Sequence, residues 1–303
     1  MRLKFIKKSI LTYFIMSATI NQIELQDFIA RGLREDIGNG DHTSLACIPS
    51  DAKAKAILKV KDVGVLAGVE VAKQILLTVD PNAIVNILIQ DGTPVHVGDI
   101  AFEVEANTHA LLKAERLLLN TMQRMTGIAT LSNQYFFEVE DLPVTILDTR
   151  KTTPNIRFLE KWAVRLGGCT NYRIGLYDRF MIKDNHVEAA GGVKNAINKV
   201  LEYRKANHLE DLKITVEVRN LVELYDAMEA GKGTIDRIML DNFELPLLVE
   251  AVEVIGDQFE SEASGGINLH TIRQVAMTGV QYISVGALTH SAQSLDLSFK
   301  IIG

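Results

Sequence analysis

Val144-Thr145-Ile146-Leu147-Asp148-Thr149-Arg150-Lys151-Thr152-Thr153-Pro154 is a short apolar run that delivers one acid, two adjacent cations and a proline. Val144 to Leu147 reads as a strand, and Pro154 stops the chain from continuing as one. Two cations fixed at a strand exit form an anion clamp. The planar fork of Arg150 suits a carboxylate, and the compact charge of Lys151 suits a phosphate.

The same grammar recurs downstream. Apolar runs at Phe180–Ile182, Ile214–Val218, Arg237–Leu240, Phe259–Ala263 and Tyr282–Val285 predict strands, with helical patterns near 155–167, 189–206, 220–231, 244–255 and 268–278. Repeated β-α units with short apolar strands predict a parallel sheet, open or closed. The strand ends choose between the two. Arg150 and Lys151, Lys183, Glu217, Asp241, Ser264-Gly265-Gly266 and Gly286-Ala287 place polar or glycine residues at the C-terminal end of every predicted strand. A β/α barrel gathers its site on that face, whereas an open doubly wound sheet confines it to one switch point. The expectation is therefore a barrel. The chain has neither a GxGxxG nor a Walker A loop, which argues against the nucleotide folds built on them.

Upstream the pattern is α+β. A helix is expected over about Ile23–Arg34, then a Gly- and Asp-rich loop through Glu35–Ser44. Strands follow at Ala54–Lys61 and Gly64–Gly68, a helix at Glu70–Thr78, and strand, turn and strand from Ile84 to Glu105. A long helix over roughly Thr108–Thr126 closes this half. The expected division is a domain over 16–127 rejoined by 288–303, and a barrel over 128–287. Residues 1–15, basic and then apolar, read as an upstream extension or disordered tail ahead of Met16. Their apolar stretch is too short to span a membrane, and the cleavage site is poor.

The 303 residues have an ordinary soluble composition, 47% hydrophobic and 23% charged, with a net charge of −6. From Asp148 to Lys183, however, eight basic residues face three acidic ones, a local +5. Local positive charge on an acidic chain implies a small, highly anionic ligand. With no basic stripe interleaved with aromatics, nucleic acid is not expected. Two cysteines, Cys47 and Cys169, make no disulfide framework and point to a reduced, cytoplasmic setting. Cys169 reads as a small buried filler.

The chemistry-bearing residues follow from position. Ser264-Gly265-Gly266 and Gly286-Ala287 come after the last two strands, where glycines let main-chain N–H groups approach a phosphate. Glu217 and Asp241 end strands in which packing needs no charge. They are candidates for Mg²⁺, for ribose hydroxyls, or for pairing with nearby cations. His186 reads as a loop hydrogen-bonder, and by pattern alone Arg116 lies on a solvated helix face.

Taken together, Asp148–Pro154, Leu159-Glu160-Lys161, Gly167-Gly168, Asn171-Tyr172-Arg173, Ile182–His186, Val216-Glu217-Val218, Ile238–Asn242, Glu262–Ile267 and Ile283–Ser291 resemble the quinolinate phosphoribosyltransferase family, the carboxylating nicotinate-nucleotide pyrophosphorylases. Upstream, Glu35-Asp36 with Gly38, Gly40, Asp41, Thr43 and Ser44, and Glu115-Arg116 with Asn120, fit the same family. The resemblance implies an incomplete β/α barrel of about six strands joined to an α+β domain. It implies a homodimer in which Arg116 reaches the neighbour's site. It also implies transfer of phosphoribose from phosphoribosyl pyrophosphate to quinolinate with decarboxylation, giving nicotinate mononucleotide, pyrophosphate and CO2 for NAD synthesis.

On that resemblance Arg116, Arg150, Tyr172, Arg173 and Lys183 bind quinolinate. Lys151, Lys183, Glu217 and Asp241 are catalytic, with Glu217 and Asp241 also meeting Mg²⁺. Ser264, Gly265, Gly266, Gly286 and Ala287 cradle phosphate. Three residues depart from the family pattern: Tyr172 where His precedes the Arg, Asn155 for Gly, and Arg219 for an acid. Two alternatives stand beside this reading: a same-fold enzyme for another anionic acceptor, and a non-catalytic paralogue that only binds phosphoribosyl pyrophosphate.

Overall fold

The computed structural model describes residues 21–302. The expectation for 1–15 lies outside them. The chain divides into two compact units. One holds the chain up to Asn133, Thr153–Gly168 and everything from Ala292; the other holds Gln134–Thr152 and Cys169–Ser291.

In the first unit, Asn21 caps a helix at Gln22–Ile37, its Oδ1 accepting from Ile23 N at 3.1 Å. The expected loop through Ser44 is in part helical. Asp41 accepts from Ser44 N at 3.0 Å and starts a short helix, His42–Cys47. Strands follow as β1 (Lys53–Val60), β2 (Gly64–Val65), β3 (Ile84–Ile87), β4 (Pro94–Val95) and β5 (Ile100–Asn107), with a helix at Val69–Val79 before β3. Ala56, Leu58 and Val60 alternate inward along β1, the period-two pattern of a strand with one covered face.

The helix after β5 runs Thr108–Glu138, well beyond the expected stop at Thr126. Gly127 looks like a terminator. It is instead a place of close approach, because a Cβ there would meet the Gln293 carbonyl oxygen at 1.9 Å. Just past the clamp, the fully buried Glu160 accepts from Arg124 Nε at 2.9 Å, from Thr153 N at 3.0 Å and from Thr153 Oγ1 at 2.8 Å. That network holds the helix Arg157–Leu166 and the chain entering it.

The second unit carries β6 (Thr145–Leu147), β7 (Phe180–Ile182), β8 (Ile214–Val218), β9 (Arg237–Asp241), β10 (Glu260–Ser264) and β11 (Tyr282–Ser284). All pair in parallel, in the order β6-β11-β10-β9-β8-β7. From β7 to β11 each strand therefore neighbours the next in sequence, and the first strand, β6, pairs with the last, β11. Only β6 and β7 are not laddered to each other, and a bridge from Leu147 to Thr170 lies at that gap. This is the incomplete barrel. Every residue of β8 is buried, as a parallel strand covered on both faces must be. The helical pattern at 189–206 proves to be two helices, Asp184–Ala190 and Val193–Ala206, broken at Gly191 and Gly192 with φ of 82° and 118°. The last strand, β12 (Leu297–Ile302), returns to the first unit and pairs antiparallel with β1, giving the sheet order β12-β1-β5-β3.

Candidate active site

At the C-terminal ends of β6 to β11 lies a cavity of about 800 Å³. Arg150, Lys151, Tyr172, Arg173, Lys183, Glu217, Asp241, Ser264, Gly265, Gly266, Gly286 and Ala287 all line it. Of the residues given a binding or catalytic role by the resemblance, Arg116 is the one that does not line it; it is exposed on the Thr108–Glu138 helix. Asn242, Ser284 and His290 also line the cavity and were assigned no role from sequence.

The clamp is held from beneath. Asp148 is fully buried and accepts from Asn171 Nδ2 at 2.6 Å and from Tyr172 N at 2.8 Å, tying the end of β6 to the 170–173 segment. Its carboxylate is spent on structure. Thr289 Oγ1 donates to the Lys151 carbonyl at 2.8 Å. These bonds aim Arg150, Lys151 and Arg173 without neutralising them. Arg150 Nε is buried and has no hydrogen-bond partner among the described residues. Burial, and then the charge of Arg150 beside it, push the Arg173 guanidinium below its usual range. Such a crowd of cations persists where an anion is to be bound.

Lys183 pairs with Glu217, which is buried at the end of β8. His186 takes the loop role expected of it, its Nδ1 accepting from Lys183 N at 2.9 Å. Asp241 ends β9 and accepts from Asn242 Nδ2 at 2.7 Å. Asn242 itself has φ +57° and donates its N–H to the Ser264 carbonyl at 2.9 Å.

The glycine loops sit tightly. Gly265 has φ +98°, and a Cβ there would lie 2.2 Å from Asn242 Oδ1 and 2.9 Å from Asn242 N. Only glycine satisfies both limits. At Gly286 a Cβ would meet Lys151 Cδ at 3.0 Å and His290 Nε2 at 3.1 Å, so the glycine lets the clamp lysine lie against the main chain.

The three departures also resolve. Asn155 has φ +66°, a left-handed position that Asn tolerates nearly as well as Gly. Arg219 forms a forked pair with Glu223 at 2.6 and 3.1 Å, away from the cavity. Tyr172 lines the cavity, yet its hydroxyl is engaged with Thr215 Oγ1 at 2.8 Å. Burial, and then Glu262, push its phenol above the usual range, so it stays neutral.

Fold and cavity together define a class: a β/α barrel whose strand ends carry a cavity lined by cations, carboxylates and glycine loops. Comparison with known proteins makes this specific. Residues 41–126 match the family model for the quinolinate phosphoribosyl transferase N-terminal domain, and residues 128–300 match that for the C-terminal domain. The chain belongs to the quinolinate phosphoribosyltransferase family. It is 44% identical over 291 residues to tobacco (Nicotiana tabacum) quinolinate phosphoribosyltransferase [decarboxylating] 1b, covering 92% of this chain and 82% of that one. It is equally similar, 44% over 291 residues and 83% of that chain, to the chloroplastic nicotinate-nucleotide pyrophosphorylase [carboxylating] of Arabidopsis thaliana. Among solved structures, the nicotinate-nucleotide pyrophosphorylase of Francisella tularensis superposes with a TM-score of 0.86 at 34% identity, over 94% of this chain and 98% of that one.

Proposed function

We propose that this chain transfers the phosphoribosyl group of phosphoribosyl pyrophosphate to quinolinate, releasing pyrophosphate and CO2 and forming nicotinate mononucleotide for NAD synthesis. One observation carries the reading. A single cavity is lined by two guanidinium side chains, Arg150 and Arg173, two carboxylates and two glycine loops. Dicarboxylate, ribose and phosphate each find their chemistry there.

The proposed roles follow. Arg150 and Arg173 grip the two carboxylates of quinolinate and turn its ring nitrogen toward C1 of the ribose. Ser264, Gly265, Gly266, Gly286 and Ala287 present main-chain donors to the 5′-phosphate. Lys151 and Lys183 face the pyrophosphate and the reacting carboxylate. Glu217 and Asp241 hold the ribose hydroxyls, with Glu217 placed to steady positive charge on the sugar. As the C1–pyrophosphate bond breaks, the ring nitrogen bonds to C1. The cationic ring then accepts the electron pair left by departing CO2, and a proton takes the vacated carbon.

Among the described residues no three His, Cys, Asp or Glu side chains converge as a metal site. Glu217 and Asp241 nonetheless line the cavity of the phosphate loops, and Mg²⁺ is commonly held by one or two carboxylates plus substrate phosphates and water. The residues thus fit Mg²⁺ bound jointly with substrate. When bound, it offsets charge on the departing pyrophosphate.

A homodimer, in which Arg116 of each protomer reaches the other's acceptor, belongs to the same proposal, as does a cytoplasmic location. The exposure of Arg116 supports the first. No helix among the described residues is long and apolar enough to cross a membrane.

The test is a CO2-release assay with quinolinate, phosphoribosyl pyrophosphate and Mg²⁺, run beside nicotinic acid. Release that requires both substrates, with no nucleotide from nicotinic acid, is expected. No release, with phosphoribosyl pyrophosphate still bound in calorimetry, would favour another acceptor or a binding-only paralogue.

A further inference from the structure

Beneath the cavity, Tyr172 is the hub of a set of contacts to which the roles above assign nothing. Two guanidinium groups lie against its ring, Arg179 at 5.3 Å and Arg237 at 5.2 Å from the centroid. Arg179 Nη1 also donates to Thr215 Oγ1 at 2.7 Å, the same atom that contacts the Tyr172 hydroxyl at 2.8 Å. Thr215 is fully buried, so this three-way junction is shielded from water.

Arg237 is locked on its far side. It stacks 3.5 Å from the Tyr282 ring centroid and pairs with Glu260 at 2.7 Å and Glu262 at 3.1 Å. Glu262, wholly buried, also receives Ser284 Oγ and a hydrogen bond from Tyr172. The charge of Arg237 is therefore balanced. Among the described residues Arg179 forms no ion pair, and it spends one donor on a neutral hydroxyl.

Arg179 does not line the main cavity. It lines a neighbouring one of about 520 Å³ that shares only Arg173 and Met181 with the first. Its carbonyl oxygen accepts from Arg173 Nη1 at 3.5 Å. One residue thus touches both Tyr172, through ring and hydroxyl junction, and Arg173, through its main chain. It adds a further positive charge behind an acceptor wall that already holds Arg150 and Arg173.

We propose that Arg179 is a positioning and specificity-determining residue: it fixes the Tyr172 ring and its charge biases the acceptor pocket toward a dianionic aromatic acid. This rests on the acceptor assignment made above. Planar stacking with a directed N–H bond is a guanidinium property, which an ammonium does not reproduce.

Steady-state kinetics on the full chain test it, with Arg179→Met and Arg179→Lys. Arg179→Met should raise KM for quinolinate about tenfold, the scale of one hydrogen bond involving a charged group. KM for phosphoribosyl pyrophosphate should stay within about twofold, as should the thermal midpoint of the ligand-free protein within a few degrees. Arg179→Lys should restore discrimination between pyridine di- and monocarboxylates in calorimetric binding but recover only part of KM. Full recovery by Lys would overturn positioning and leave charge alone. A parallel rise in both KM values, with a large drop in midpoint, would overturn the proposal in favour of a plain folding role. Wild-type turnover, measured in the same series, separates these outcomes from failure of the acceptor assignment: absent turnover of quinolinate by wild type refutes that assignment, whereas wild-type turnover with an unchanged Arg179→Met refutes this one.

Discussion

The strand ends of β6 and β7 and those of β10 and β11 offer an anion different materials. The first pair presents side-chain charge, Arg150, Lys151 and Lys183, joined by Arg173 from the segment between the two strands. The second presents main chain, because Gly265, Gly266 and Gly286 carry nothing that would keep a phosphate away. Side-chain charge tolerates adjustment, since long arms move and one cation can partly stand in for another. A main-chain cradle has no such slack, as its donors are fixed by φ and by what touches the glycine Cα. The two sets meet where the Lys151 stem lies against Gly286.

The sharpest way to break this contrast is Gly265→Ala. The new Cβ would fall 2.2 Å from Asn242 Oδ1 and 2.9 Å from its N, at φ +98°. Left-handed backbone alone costs about 1–2 kcal/mol. The larger effect is displacement of Asn242, whose side chain holds Asp241 at 2.7 Å. A shift of about 1 Å in a positioned group costs on the order of 10²-fold, so kcat/KM for phosphoribosyl pyrophosphate should fall at least that far. Activity within threefold of wild type would show that the cradle gives way as easily as the wall.

Arg150→Met should do less, and to the other substrate. Losing a charged, directed hydrogen bond costs about 1.5–3 kcal/mol, or about 10- to 150-fold in kcat/KM for quinolinate. Arg150→Lys should recover only part, because the two-pronged grip on a carboxylate is lost. If the loss appeared instead in KM for phosphoribosyl pyrophosphate, the division of labour between the two sets of strand ends would be wrong.

This asymmetry also bears on what could be read from sequence. The six parallel strands and their polar ends were legible because each is a short, mostly buried run flanked by helical periodicity, with all five residues of β8 buried. Glycine was ambiguous. Gly127, just past the expected helix end at Thr126, marks a chain crossing inside the helix, while Gly191-Gly192, lost inside a helical pattern, is a true break. The strand β12 had no local signature, for its partner β1 is far away in sequence. In the site, the residues that end strands stood out. Arg179, Arg237 and Glu262 did not, because their effect on Tyr172 exists only through tertiary contact.

Arg219 separates charge that belongs to the wall from charge that merely lies downstream of a strand. It follows Glu217 by two residues and departs from the family pattern, so sequence alone marks it as a suspect. Its guanidinium is half exposed and forked onto Glu223, which raises its own pKa and lowers that of Glu223. Exposed pairs of this kind contribute little to stability. Arg219→Ala should therefore shift the unfolding midpoint by no more than a few degrees and leave both KM values within about twofold, since the residue does not line the cavity. A tenfold rise in KM for quinolinate would mean that the attraction for the acceptor is a diffuse field of the whole face. It would then not come from Arg150, Lys151 and Lys183 at two strand ends with Arg173 in the segment between them.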